Sequence, residues 1–123
     1  MYAHLYTPCG LRTLSPEDAQ YHPVYAGQQK ERDLAYHQGT TWPFPLGAYY
    51  LAHLKVYGHS EAAVEEIRAM LRPMEGILRE GCVGQIPEIY DGEVPALSRG
   101  CFAQAWSVGE ILRVYAQLEK GKA

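Results

Sequence analysis

The stretch Ser60-Glu-Ala-Ala-Val-Glu-Glu-Ile-Arg-Ala-Met-Leu-Arg-Pro-Met-Glu-Gly-Ile-Leu78 places apolar side chains at Val64, Ile67, Leu71, Met74 and Leu78. That i, i+3, i+7 spacing marks one face of an α-helix. Ser60 is suited to cap its N-terminus, and Glu61, Glu65 and Glu66 favour the positive end of the helix dipole. The pattern predicts a helix over residues 61–80. Pro73 and Gly76 should kink or weaken its last third, and Gly81 should end it.

Two more helical segments flank this one. Residues 43–57 carry Leu46, Tyr50, Leu54 and Tyr57 at helical spacing, with Thr41 as a candidate cap, Pro43 and Pro45 in the first turn and Gly58 as a stop. Residues 101–119 carry Val108, Ile111, Leu112, Tyr115 and Leu118 on one face. Gly109 inside that helix costs about 1 kcal/mol relative to alanine, so close packing against a neighbour is the expected reason for it. Residues 1–40 read as largely irregular, and no alternating strand pattern exceeds a few residues. The expected fold class is therefore all-α, with about three main helices joined by long irregular loops. Three helices make a thin core for this much apolar sequence, and a long structureless stretch commonly belongs against something larger.

Composition bounds the function. The chain has 123 residues, 47% of them hydrophobic, and a net charge of -3. That fits a single unit with material for a core, and it is too acidic to point to a nucleic-acid partner. No apolar run approaches the roughly 20 residues of a membrane helix, and the N-terminus does not resemble a signal peptide. Cys9, Cys82 and Cys101 form an odd set without paired spacing, which favours a reducing, cytoplasmic setting over a disulfide framework. His4, His22, His37, His53 and His59 show no ligand spacing, so neither a metal nor another cofactor is expected. Ten tyrosines suit a wet, half-buried surface such as a sugar cleft or an interface, or equally a core with polar edges.

Chemistry concentrates in residues 84–92, Gly-Gln-Ile-Pro-Glu-Ile-Tyr-Asp-Gly, where Glu88 sits on a glycine-bounded loop. A second loop runs through Arg99-Gly-Cys towards Trp106. An acid beside aromatics and loop glycines suits a site that binds or cuts sugar. The bland alternative is a loop acid paired with Arg99. Cys101 at a helix start could have a lowered pKa, but no histidine is placed in sequence to partner it as a nucleophile.

Four blocks carry a resemblance. Gly10-Leu-Arg-Thr-Leu-Ser-Pro, Tyr36-His-Gln-Gly-Thr-Thr-Trp-Pro, Pro87-Glu-Ile-Tyr-Asp-Gly and Arg99-Gly-Cys-Phe-Ala-Gln-Ala-Trp-Ser resemble, in order, the C-terminal end of the glycogen debranching enzyme family. That region is the amylo-α-1,6-glucosidase catalytic domain. The resemblance implies an (α/α)6 toroid, of which residues 1–123 would be one unit supplying the last hairpins as a C-terminal fragment. It also implies inverting hydrolysis, in which an acid protonates the leaving oxygen while a carboxylate about 6.5–9.5 Å away activates water.

By position in its block, Glu88 corresponds to the family's general base. The family's general acid is an aspartate in a Thr-Trp-Met-Asp-like block, which is absent here. Asp91 lies on the same loop as Glu88 and so on the same side of the sugar, which makes it a poor replacement. The isolated chain is accordingly expected to be inactive.

Trp42 and Trp106 are candidate sugar platforms or, more blandly, core residues. Tyr36, His37 and Gln38 are candidate partners for sugar hydroxyls, with a structural role the alternative for His37. Arg12 is expected to tie loops together, and Arg99 either does the same or holds the Glu88 loop. The implied partner is an α-glucan or oligosaccharide. Self-association through surfaces that missing helices would cover is also expected. Alternatives are a non-catalytic helical fragment that binds sugar weakly, and a related toroidal enzyme acting on trehalose, sucrose or another α-glucoside.

Overall fold

The computed structural model describes residues 2–79 and 83–120. Its elements run α1 (Tyr2–Leu5), β1 (Tyr6–Thr7), β2 (Gly10–Arg12), α2 (Gln29–His37), β3 (Thr41–Trp42), α3 (Pro45–Val56), α4 (Glu61–Ile77), β4 (Ile89–Tyr90), β5 (Ser98–Arg99) and α5 (Ala105–Lys120). The five short strands form one antiparallel sheet in sequential order, with Leu11 opposite both Tyr6 and Trp42, Thr41 opposite Tyr90, and Tyr90 opposite Ser98. The expectation of an all-α chain, a partial (α/α)6 toroid of about three main helices, is thereby corrected. Strands of two or three residues are too short to leave an alternating pattern, so the sheet was invisible to periodicity.

The helical layer follows the apolar stripes. Leu46, Tyr50 and Leu54 of α3 meet Ala63, Ile67, Leu71 and Met74 of α4 and Ile111, Val114 and Leu118 of α5 in one buried cluster. α3 is the shared element, packing on both α4 and α5. Ser60 caps α4, its hydroxyl accepting the Ala63 N–H at 3.3 Å. Pro45 occupies the first turn of α3, where its missing N–H costs nothing. Gly58 adopts φ +61 just past the end of α3, as a helix stop requires.

Several boundaries differ from the sequence expectation. Thr41 is a buried strand residue rather than the α3 cap, and its hydroxyl has no hydrogen-bond partner among the described residues. Tyr57 and Leu78 fall just beyond their helices and are exposed. The expected Gly81 stop and Cys82 lie outside the described residues. α5 begins at Ala105 rather than 101, because residues 100–104 are occupied with the Glu88 loop. Leu112 faces outward, and none of the described residues comes near the position a Cβ on Gly109 would take, so the expected close packing at Gly109 is not seen among them.

The nine-residue α2 lies in the stretch read as irregular. It buries only Ala35, so it shows little apolar periodicity. Its sequence signal is polar: Glu31 reaches back to accept the Gln28 N–H at 2.6 Å. No described helix is long and apolar enough to cross a membrane.

Candidate functional site

The sheet, its connecting loops, the end of α2 and the start of α5 hold the residues singled out above. The backbone before and at Glu88 is pinned at three consecutive residues. The Ile86 carbonyl accepts the Gln104 N–H at 2.9 Å, and the Pro87 carbonyl accepts the Ser107 hydroxyl at 3.3 Å. Glu88 itself donates its N–H to the Cys101 carbonyl at 2.8 Å. This loop is therefore clamped to the entry of α5.

The Glu88 side chain is half-buried and held by two donors. Oε2 accepts the Cys101 backbone N–H at 2.9 Å, and Oε1 accepts the Tyr36 hydroxyl in a short hydrogen bond. Gly100, at φ +65, makes the first of these possible, since a Cβ there would collide with Oε2. Each carboxylate oxygen keeps a further lone pair, so the group can still accept a proton from water. The Tyr36 phenol is pushed up to about 12 by burial first and then by its hydrogen bond to, and the charge of, Glu88. It is a protonated donor across the neutral range.

Arg99 pairs with Asp91 rather than with Glu88. Its Nε approaches Oδ1 and Oδ2 of Asp91 at 3.2 and 3.1 Å, and its Nη2 reaches Oδ2 at 3.0 Å. The Tyr25 N–H completes the set on Oδ1 at 2.9 Å. Asp91 is buried, with its side chain 5% exposed, and serves as a structural anchor of the loop. One residue on, the Gly92 carbonyl accepts from Arg12 Nε at 2.8 Å and from the Tyr21 hydroxyl at 3.1 Å. Arg12 thus ties the first loop to the last.

Aromatic rings join Glu88 to a cleft. The Tyr36 ring meets Trp42 edge-on at 4.8 Å, and His37 stacks on Trp42 at 5.7 Å with only 10° between the planes. Trp42 in turn meets Trp106 at 6.2 Å, and Phe44 stacks on Trp106 at 4.5 Å. The resulting cleft, about 370 Å³, is lined chiefly by Leu11, Arg12, His37, Trp42, Phe44 and Trp106. Trp42 is its buried back wall, whereas Trp106 is half exposed.

His37, Trp42 and Trp106 are therefore together, with Tyr36 between them and Glu88. Gln38 is apart, in a neighbouring open groove along α2 that shares only His37 with the cleft. Phe44 and Gly100 were missed as site residues. Trp-Pro-Phe-Pro and Arg-Gly-Cys marked both, as an aromatic between prolines and a glycine beside the acid's loop. Cys101 is exposed and precedes α5 by four residues, so no helix dipole acts on it directly. Cys9 is partly buried, and burial pushes its thiol up. Among the described residues no group of His, Cys, Asp or Glu is gathered to hold a metal ion.

A carboxylate with two fixed donors thus stands beside a cleft of stacked aromatics. The sequence family described as amylo-alpha-1,6-glucosidase matches residues 1–113, and the chain belongs to it. Membership makes it a debranching-type glycosidase sequence, of a family that binds glucan.

Proposed function

We propose that this chain supplies the general base and part of the sugar pocket of an inverting α-1,6-glucosidase acting on α-glucan branch points. The observation that carries the proposal is the two-donor cradle around Glu88, on a pinned backbone beside the aromatic cleft. In the proposed reaction a water lies between Glu88 and the anomeric carbon. Glu88 accepts a proton from that water as its oxygen attacks, and the glycosidic C–O bond breaks on the opposite face. Trp106 offers the accessible ring for a glucose face, with Trp42 behind it and His37 at the rim as a hydroxyl partner. Gln38 would meet further glucose units running along the α2 groove.

The leaving oxygen needs a proton from elsewhere. Asp91 is committed to Arg99 and to the Tyr25 amide, which removes it as the acid. The chain belongs, in this proposal, to the C-terminal part of a larger domain that supplies the acid, and alone it leaves α-1,6 branches uncut. Self-association through exposed apolar residues such as Val56, Tyr57 and Leu112 is part of the proposal. A monodisperse monomer in sedimentation at micromolar concentration would contradict that part.

The base role is tested with α-glucosyl fluoride, whose leaving group departs without protonation and so bypasses the missing acid. The chain should release fluoride slowly, Glu88→Gln should abolish the release, and a branched dextrin should yield no glucose. Wild-type fluoride release by Glu88→Gln would overturn the assignment.

A further inference from the structure

Tyr36 was a candidate partner for sugar hydroxyls, yet its hydroxyl is turned to a different task. It donates to Oε1 of Glu88, across 52 positions of sequence. Two independent features fix where that hydroxyl stands. The first is a cage of rings: Trp42 at 4.8 Å, His37 at 4.7 Å and Tyr25 at 5.7 Å all abut the Tyr36 ring. The second is the Tyr36 carbonyl, which accepts both the Thr40 hydroxyl at 2.8 Å and the Trp42 indole N–H at 3.1 Å. A side chain held at both ends cannot follow the carboxylate. The carboxylate must instead come to it.

We infer that Tyr36 is a positioning residue that sets the rotation of the Glu88 carboxylate, with the Cys101 N–H as the second point of a two-point clamp. This inference rests on the base role proposed for Glu88. Oε1 is fixed by Tyr36 and Oε2 by Cys101, so the plane of the carboxylate is defined and its remaining lone pairs keep one direction. Such alignment matters because misplacing a reacting group by about 1 Å can cost on the order of a hundredfold in rate. The phenol, pushed up to about 12, is a protonated donor across the neutral range, so it can hold the Glu88 carboxylate there. The same packing links the wall of the cleft to the base. Trp42 presses on the ring whose hydroxyl aims the carboxylate, so a sugar seated against Trp42 and Trp106 meets a carboxylate already oriented.

The test pairs kinetics with a titration, on the chain as it is. With α-glucosyl fluoride, Tyr36→Phe should lower kcat by roughly tenfold while KM stays within about twofold, since the ring packing remains and only the clamp is lost. Tyr36 is also followed by the ¹³C shift of its phenolic carbon against pH. Its titration, pushed up to about 12 in the wild type, should move down in Glu88→Gln, where the carboxylate charge is gone while the burial of the ring remains. An unchanged kcat in Tyr36→Phe, or a raised KM at constant kcat, would overturn the positioning role, the second result making Tyr36 a substrate contact. A Tyr36 titration unmoved by Glu88→Gln would overturn the contact itself, and this arm needs no folded Tyr36→Phe protein. Loss of fluoride release in Glu88→Gln with none in Tyr36→Phe rejects only the inference. Retention of wild-type release in Glu88→Gln rejects the base role and the inference with it.

Discussion

The helical layer and the sheet layer of this protein are held together by different forces. Between α3, α4 and α5 the buried core is apolar, with Leu46, Leu54, Ile67 and Val114 fully buried, while ion pairs such as His53–Glu66 and Arg68–Glu119 lie at its edge. In the sheet layer Trp42, Ile89 and Tyr90 are buried as well, but the polar Thr40, Thr41 and Asp91 are buried with them, and the Thr40 and Asp91 side chains are tied by hydrogen bonds. Glycines there admit close approach, since a Cβ at Gly92 would collide with the Gly39 carbonyl and one at Gly10 with the Trp42 carbonyl. Non-directional burial stabilises the helices, while directional bonds fix positions in the sheet. The candidate site lies on the directional side, where atoms must be placed rather than merely enclosed.

The comparison breaks if the two layers respond alike to substitution. Leu54→Ala, in the helical layer, should cost about 3 kcal/mol in urea denaturation and leave fluoride release per folded molecule unchanged. A matching loss of activity would mean that the helices set the site geometry directly. Asp91→Asn, in the sheet layer, should cost about 2 kcal/mol, a modest figure because Arg99 remains partly solvated and screened. Unlike the leucine variant, it should also reduce fluoride release, as the Glu88 loop loses its anchor.

Alkali sharpens the same contrast. The Tyr36 phenol titrates at 10.0 unfolded and at about 12 folded, so its contribution to stability is complete below pH 10. It is lost as pH rises from 10 through 12, because the unfolded chain gives up the proton first. Burial raises Tyr50 as well, so stability measured against pH should fall in that alkaline range. Replacing Tyr36 by Phe should leave a shallower fall, and an unchanged slope would deny Tyr36 its part in it.

The smallest effect concerns Gly109. With none of the described residues near its Cβ position, Gly109→Ala should stabilise α5 by about 0.5–1 kcal/mol in a thermal melt. A loss of stability would show that another surface packs on it, as its place in the helix led us to expect.

Legibility followed the same divide. Ile67, Leu71 and Met74 repeat at helical spacing, so α4 and its partners could be read from periodicity, and Ser60 announced the start. Val114 was overlooked, although it is as buried as any core residue. The sheet could not be read in this way. Its strands are set by which backbone groups face each other, from 3 residues apart (Thr7 and Gly10) to 49 (Thr41 and Tyr90), and Thr41 looked like a helix cap for the same reason. Glu88 could be singled out from its block and its loop. Its partners could not: the bland alternative of a Glu88–Arg99 pair gives way to a pair of Arg99 with Asp91, and the Tyr36 hydroxyl meets Glu88. Which of two nearby carboxylates an arginine meets depends on strand register, here Ile89 opposite Arg99.

The most direct test of the Glu88 assignment is the configuration of the glucose first formed from α-glucosyl fluoride, followed by proton NMR before mutarotation. A base that activates water on the far face gives β-glucose first, and only while Glu88 is present. Initial α-glucose, or β-glucose formed equally well by Glu88→Gln, would contradict it.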